Sequence, residues 1–154
     1  MSKEKAYAYL EKKGLTDHFI ETEESTATVP MAAAVLGVTE GEIAKSLTFR
    51  NAEKEPIMIV MAGDKRVDNK KFKATFRTKA KMLSAEEVAE EIGHEVGGVT
   101  PFGVNEGVKV YLDESLKAYD VVYPACGSEY AVAKFAVDEL IDAVDGEGFV
   151  DVWK

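Results

Sequence analysis

One cysteine and two histidines in 154 residues exclude several kinds of chemistry at once. The lone thiol, Cys126, cannot form an internal disulfide, and His18 and His94 offer no zinc-ligand spacing. No apolar run approaches the roughly 18 residues of a membrane span. The opening Met1-Ser2-Lys3-Glu4-Lys5 lacks the apolar stretch of a signal peptide. Together these absences suit the cytoplasm. Neither a Gly-x-Ser-x-Gly elbow nor a His-Glu-x-x-His pair occurs, so hydrolytic triads and zincin chemistry lack their usual marks. Cys126 lies in a predicted strand and reads as a small core hydrophobe. The two histidines read as solvated loop residues. The acidic pairs Glu86-Glu87 and Glu90-Glu91 fall on a helix surface, where a solvated face accounts for them.

What is present is enough for one domain over residues 1–154 with a real core: 46% hydrophobic and 31% charged residues. The net charge of −9 is unevenly spread. Residues 65–81 hold eight basic side chains (Lys65, Arg66, Lys70, Lys71, Lys73, Arg77, Lys79, Lys81) against Asp68, a local +7 on a body of −16. Such a segment is either a Lys-rich solvated helix face or a place where a phosphate backbone can rest while the acidic body repels non-specific binding. Lys65, Arg66, Lys70, Lys71 and Lys73 are therefore candidate contacts to a nucleic-acid backbone.

The local pattern predicts a helix from Ser2 to about Lys13 stopped by Gly14, and a short strand at 19–22. A second helix at 29–36 follows, capped by Thr28 with Pro30 in its first turn and closed by Gly37. Strands are predicted at 43–49 and 56–62, the second apolar on both faces and therefore central. Asp68 caps a helix at 69–76 that puts Phe72 and Phe76 on one face and Lys70, Lys71 and Lys73 outside. A short strand at 79–83 precedes a capping box, Ser84 to Glu87, and a helix ending at Gly93. Strands at 108–113 and 120–126, a tight turn at Gly127-Ser128, a strand at 130–135, a helix at 138–144 and a last strand at 149–153 complete the chain. Clustered strands with interspersed helices favour an α+β fold, a mixed and mainly antiparallel β-sheet surrounded by helices.

Two features stand out. In the strand Ile43-Ala44-Lys45-Ser46-Leu47-Thr48-Phe49, the period of two puts Lys45 on one face with Ile43, Leu47 and Phe49. A buried unpaired ammonium costs more than the strand gains. Either the stem snorkels to solvent at an edge, or Lys45 points into a pocket and meets an anionic or carbonyl-bearing ligand. The second feature is Gly97-Gly98-Val99-Thr100-Pro101-Phe102-Gly103, between a helix and a strand and without a P-loop ending. Its glycines can bring backbone amides up to a ligand, or it can be an ordinary connecting turn.

Gly37, then 43–47 with its lysine, then Gly97 to Pro101, then Gly127-Ser128 before a strand, resemble the YbaK/ProX family. These are free-standing relatives of the editing insertion domain of bacterial prolyl-tRNA synthetase. The resemblance runs from the second helix to the last. It implies hydrolysis in trans of the aminoacyl ester on a mischarged tRNA, tRNA(Pro) with a small amino acid such as alanine or cysteine, without metal, nucleotide or other cofactor. It implies Lys45, Gly97 and Pro101 as catalytic positions, and Gly98, Val99, Thr100, Gly127 and Ser128 as substrate-binding ones. The partners it implies are aminoacyl-tRNA and, transiently, prolyl-tRNA synthetase. The chain differs from the cysteine-specific branch after Gly127, where that branch carries a basic pair and then an aspartate; here Ser128-Glu129-Tyr130 is followed by Ala131-Val132. A second reading on the same fold is a non-catalytic module that senses an amino acid or an aminoacyl-tRNA.

Overall fold

A computed structural model describes residues 2–154. Eight strands form a mixed sheet in the order β1 (Phe19–Glu21), β6 (Ala131–Ala133), β5 (Val121–Ser128), β2 (Ile43–Arg50), β3 (Pro56–Ala62), β4 (Lys109–Asp113), β8 (Phe149–Val150), with β7 (Phe135–Ala136) also on β5. Four pairings are antiparallel and three are parallel, β2 with β5, β3 with β4 and β4 with β8. The helices are α1 (Ser2–Lys12), α2 (Val29–Leu36), α3 (Asn69–Phe76), a single turn α4 (Ala85–Glu87) continued by a π-helix (Val88–Ile92), and α5 (Val137–Ala143).

The sequence explains most of these limits. The Thr28 hydroxyl accepts the Met31 N–H, Pro30 occupies the first turn of α2, and Gly37 ends it in the left-handed region at φ +69°. Asp68 caps α3 by accepting the N–H groups of Lys70 and Lys71 at 2.9 and 3.0 Å. The Ser84–Glu87 capping box opens α4. Ile57 to Ala62 of β3 are fully buried, as a central strand requires.

Both sheet faces are covered. On one side α1, α5 and the π-helix bury Leu10, Ile92 and Leu140 against Met58, Val60, Val122 and Phe135. On the other, α2 covers Ile43 through Ala32 and Ala33, while α3 covers Phe49, Ile57, Ile59 and Met61 through Phe72. A chain of rings anchors α3: Phe72 lies 4.9 Å from Phe49, and Phe76 lies 5.2 Å from Tyr111. A buried phenylalanine of this kind contributes about 1.5–3 kcal/mol.

Four local expectations change. Residues 79–83 are not a strand. They make a single bridge, Met82 to Phe49; alternation leaves only Ala80 and Met82 on an apolar face, and Met82 stays 57% exposed, too little buried area to hold a strand. Gly127 and Ser128 belong to β5. Gly127, at φ +91°, absorbs a register shift against β6, and the turn falls on Glu129-Tyr130. The last strand is only two residues, Phe149–Val150, followed by one bridge from Trp153 to Val67. The fourth is Lys71, which is half-buried with its ammonium over the Trp153 ring, unlike the exposed Lys70 and Lys73.

Candidate active site

The sheet splits between β2 and β5. These parallel strands pair only at Ile43 with Tyr123 and Ala44 with Pro124, then diverge. A cleft of about 190 Å³ occupies the gap, and Ile43, Ala44, Lys45 and Ser46 of β2 line one wall. Tyr123, Ala125 and Ser128 of β5 and Val132 of β6 line the other, α2 contributes Val29 and Ala32, the segment before it Thr26, Ala27 and Thr28, and Gly97 and Val99 reach in from the loop after the π-helix. Crevices beside the carboxyl ends of parallel strands are where open sheets hold ligands.

Lys45 stands on the sheet face between the cluster under α2 and the cluster under α3, which explains a lysine in an apolar row. Its ammonium donates to the Gly63 carbonyl at 3.3 Å and to the Lys65 carbonyl. An ammonium has three N–H groups, so one is left for a ligand. Burial holds the Lys45 pKa below the usual lysine range, opposed by Asp64 and reinforced by Arg66.

Main-chain donors converge on the same gap. In an antiparallel ladder the N–H and C=O of one residue point to one side, and the side alternates. The Thr48 carbonyl accepts from Leu83, away from β3. Ser46, two residues earlier, therefore turns its main chain away from β3 and into the cleft. Its hydroxyl is buried without a partner among the described residues. In the glycine-rich loop, Gly98 N–H is taken by the Glu95 carbonyl at 2.8 Å, while Gly97 N–H has no protein acceptor among the described residues. At φ +95° and with open space where a Cβ would stand, Gly97 is the residue whose backbone a ligand can approach.

The other expected site residues divide. Val99 and Ser128 line the cleft with Lys45 and Gly97. Gly98 and Gly127 line an adjacent groove with Ser2 and Lys3, and their glycine character serves chain packing: a Cβ on Gly98 would meet the Gly127 carbonyl oxygen at 2.7 Å. Thr100 and Pro101 are buried behind the loop, where the Thr100 hydroxyl accepts the Phe102 N–H at 3.2 Å. Neither lines the cleft. Thr26, Thr28, Ser46 and Tyr123 do and were not expected; no motif marks them, because the split between β2 and β5 brings them together.

His94 is buried, and His18, though partly exposed, is held in place. His18 stacks on Phe135 at 4.2 Å with its Nδ1 2.7 Å from the Lys134 carbonyl. His94 is 1% exposed, its Nε2 2.9 Å from the Phe102 carbonyl and its Nδ1 without a partner among the described residues. Burial holds the His94 pKa below the ordinary 6.5, against the raising effect of its bond to Phe102. The unfolded chain therefore takes up this proton first, and stability falls as pH drops from about 6.5 towards the folded value. His94→Gln, which keeps a donor for Phe102 but cannot titrate there, is expected to show a shallower loss of thermal midpoint over that window. Identical pH profiles by differential scanning calorimetry would contradict this assignment. Cys126 is buried and its thiol pushed up to about 12 by burial, which makes it inert.

Among the described residues no three His, Cys, Asp or Glu side chains gather as a metal site requires, and no helix is long and apolar enough to cross a membrane. Comparison with known proteins gives a consistent picture. Residues 23–143 match the family model described as an aminoacyl-tRNA editing domain. A Bacillus subtilis protein, YwhH, uncharacterised, is 48% identical over 134 residues, 87% of this chain and 85% of the relative. An Enterococcus faecalis protein named provisionally as the Cys-tRNA(Pro)/Cys-tRNA(Cys) deacylase EbsC is 26% identical over 116 residues, 75% of this chain and 71% of its own. A crystal structure assigned provisionally to a trans-editing enzyme for prolyl-tRNA synthetase superimposes with a TM-score of 0.88 at 29% identity, covering 99% of this chain and 97% of that one.

Proposed function

The chain belongs to the aminoacyl-tRNA editing domain family, and from that premise we propose that it hydrolyses, in trans, the ester joining a small amino acid to the 3′-terminal adenosine of a mischarged tRNA, tRNA(Pro) bearing alanine or cysteine above all. One observation carries this reading: a cleft at the split in the sheet faces a half-buried lysine with one free N–H towards a glycine amide with no acceptor among the described residues. An aminoacyl ester is already activated, so a site need only orient it, supply a water and stabilise the developing oxyanion.

In this mechanism Lys45 holds the terminal phosphate or the ribose–carbonyl region through its third N–H. The amides of Gly97 and Ser46 donate to the oxyanion. A water attacks the carbonyl carbon, the ester C–O bond to the ribose breaks, and the ribose oxygen takes the proton. The products are the free amino acid and deacylated tRNA. The neighbouring hydroxyl of the terminal ribose activates the water, which is why no acidic or imidazole side chain need stand in the cleft. The side-chain end of the substrate meets Val29, Ala32, Tyr123 and Val132, and about 190 Å³ shared with part of the adenosine favours a small side chain. The reaction belongs where charged tRNA is made, in the cytoplasm, with prolyl-tRNA synthetase as a transient partner.

The test is release of amino acid from a panel of mischarged tRNAs at substoichiometric protein. Turnover is expected on one or two small amino acids, tRNA(Pro) first. Protection of the ester without release, at full occupancy, would replace the enzyme with a sensing module.

A further inference from the structure

The cleft receives only the end of an RNA, and the fold sorts the cations of residues 65–81 into two groups beside it. Lys71 Nζ bonds Asp151 at 3.0 Å and sits 4.8 Å from the Trp153 ring. Lys65 lies 3.9 Å from Asp64 and 5.2 Å from the same ring. These two fasten the end of the chain to α3 and the segment before it. No other cation of the segment has a carboxylate within 4.0 Å among the described residues. Three of them, Lys70, Lys73 and Lys79, line a groove of about 370 Å³ on the outside of α3 together with Asn69 and Ala80.

Like charges gathered around one groove repel one another unless something anionic joins them. Nothing local relieves the repulsion. Phe72 and Phe76 pin the opposite face of α3 to Phe49 and Tyr111, and the three-residue spacing of Lys70 and Lys73 keeps both ammonium groups on one side of the helix. A positive groove held rigidly on a body of −16 is complementary to a polyanion and to little else. It is also tied to the cleft. The carbonyls of Gly63 and Lys65 hold Lys45, and Asp68, three residues beyond Lys65, caps α3, so cleft wall and groove are the two ends of one short segment.

We infer that the groove of Lys70, Lys73 and Lys79 binds the phosphodiester backbone of the RNA whose 3′ end enters the cleft. The identity of that RNA rests on the deacylase reading; the phosphate chemistry does not. Of the basic side chains expected to contact tRNA, Lys70 and Lys73 keep that role, Lys79 joins them, Lys65 and Lys71 are structural, and Arg66 does not line the groove.

The experiment compares the wild type with the triple variant Lys70→Gln, Lys73→Gln, Lys79→Gln and with a control of equal charge change, Lys12→Gln, Lys109→Gln, Lys134→Gln, all exposed positions elsewhere. Binding of uncharged tRNA is measured against salt. Each phosphate contact contributes about 0.7–0.9 to the slope of log K against log salt, so the groove variant should lose about 2–3 of that slope and bind roughly tenfold or more weakly at low salt. The control should keep both. On mischarged tRNA the groove variant should show a raised KM at unchanged kcat, with unchanged hydrolysis of an aminoacylated CCA trinucleotide. Equal slopes for wild type and groove variant, or equal losses in the control, overturn the inference. If the wild type releases no amino acid from any tRNA, the deacylase reading fails while the binding arm still decides the groove.

Discussion

Replacing Lys45 by alanine is expected to lower kcat/KM for a mischarged tRNA by about 100-fold or more, the usual consequence of removing one preorganised donor from a water-poor site. The loss should fall on kcat/KM as a whole, because Lys45 both binds and orients the ester end and its free N–H is the only ammonium donor lining the gap among the described residues. Folding should survive. The alanine releases the Gly63 and Lys65 carbonyls to water at the cleft mouth, a loss of about 1 kcal/mol that moves the thermal midpoint by about 2–4 °C in a chain of this size. Lys45→Arg is a sharper probe. The planar guanidinium cannot place three tetrahedral donors between two carbonyls and a ligand, so charge is kept while the geometry is lost, and activity should stay low. Wild-type turnover in either variant, measured on the substrate that the native chain hydrolyses best, would remove Lys45 from the mechanism.

Lys45 was legible because a strand with period two leaves a charged residue no neutral place on its apolar face. The bounds of α2, β3 and α3 were legible for local reasons as well: a threonine or aspartate cap, a proline where a helix tolerates it, a run of apolar residues on both faces. The cleft itself was not. Its walls come from strands about 80 residues apart that pair over two residues and then part, and no local pattern records where a parallel pairing stops. Ser46, Thr26 and Tyr123 become site residues only through that split. Asp113 was missed for the same reason. Its fully buried carboxylate accepts the N–H groups of Ser115 and Val152, both at 2.9 Å, while the Ser115 hydroxyl accepts the Ala62 N–H, which ties the end of β3 to the end of the chain. The residues 97–103 were legible as a special loop and misleading in detail, since composition cannot separate a glycine that admits a ligand from one that admits another stretch of chain.

That distinction makes Gly127→Ala a substitution expected to damage the molecule severely. At φ +91° an alanine there is strained, and its Cβ would stand 2.5 Å from Lys3 Cα and 2.5 Å from the Ser2 carbonyl oxygen. The backbone conformation costs about 1 kcal/mol or more and the overpacking about 1–3 kcal/mol, together lowering the thermal midpoint by about 5–15 °C. The atoms in the way are backbone, so the relief is for the amino end of α1 to move. That end is also what holds the loop beside the cleft. The Ser2 hydroxyl accepts the Glu95 N–H at 3.2 Å, Lys5 Nζ donates to the Gly93 carbonyl at 2.8 Å, and Gly98 packs against both Ser2 and Gly127. A displaced α1 therefore carries the Gly97 amide away from the cleft, and Gly127→Ala should lose activity at temperatures where it is still folded. Gly97→Ala separates the two effects. Its Cβ would enter open space, so only the strain of its φ of +95° weighs on stability, about 1 kcal/mol, while the methyl group obstructs the approach of the ester to the amide. Calorimetry and single-turnover hydrolysis on the pair should therefore give opposite rankings: Gly127→Ala the less stable protein, Gly97→Ala the one whose activity loss exceeds its loss of stability. A Gly127→Ala protein that melts with the wild type would mean that the approach of α1 to β5 is looser than these distances require, and that the loop holds its position without the helix.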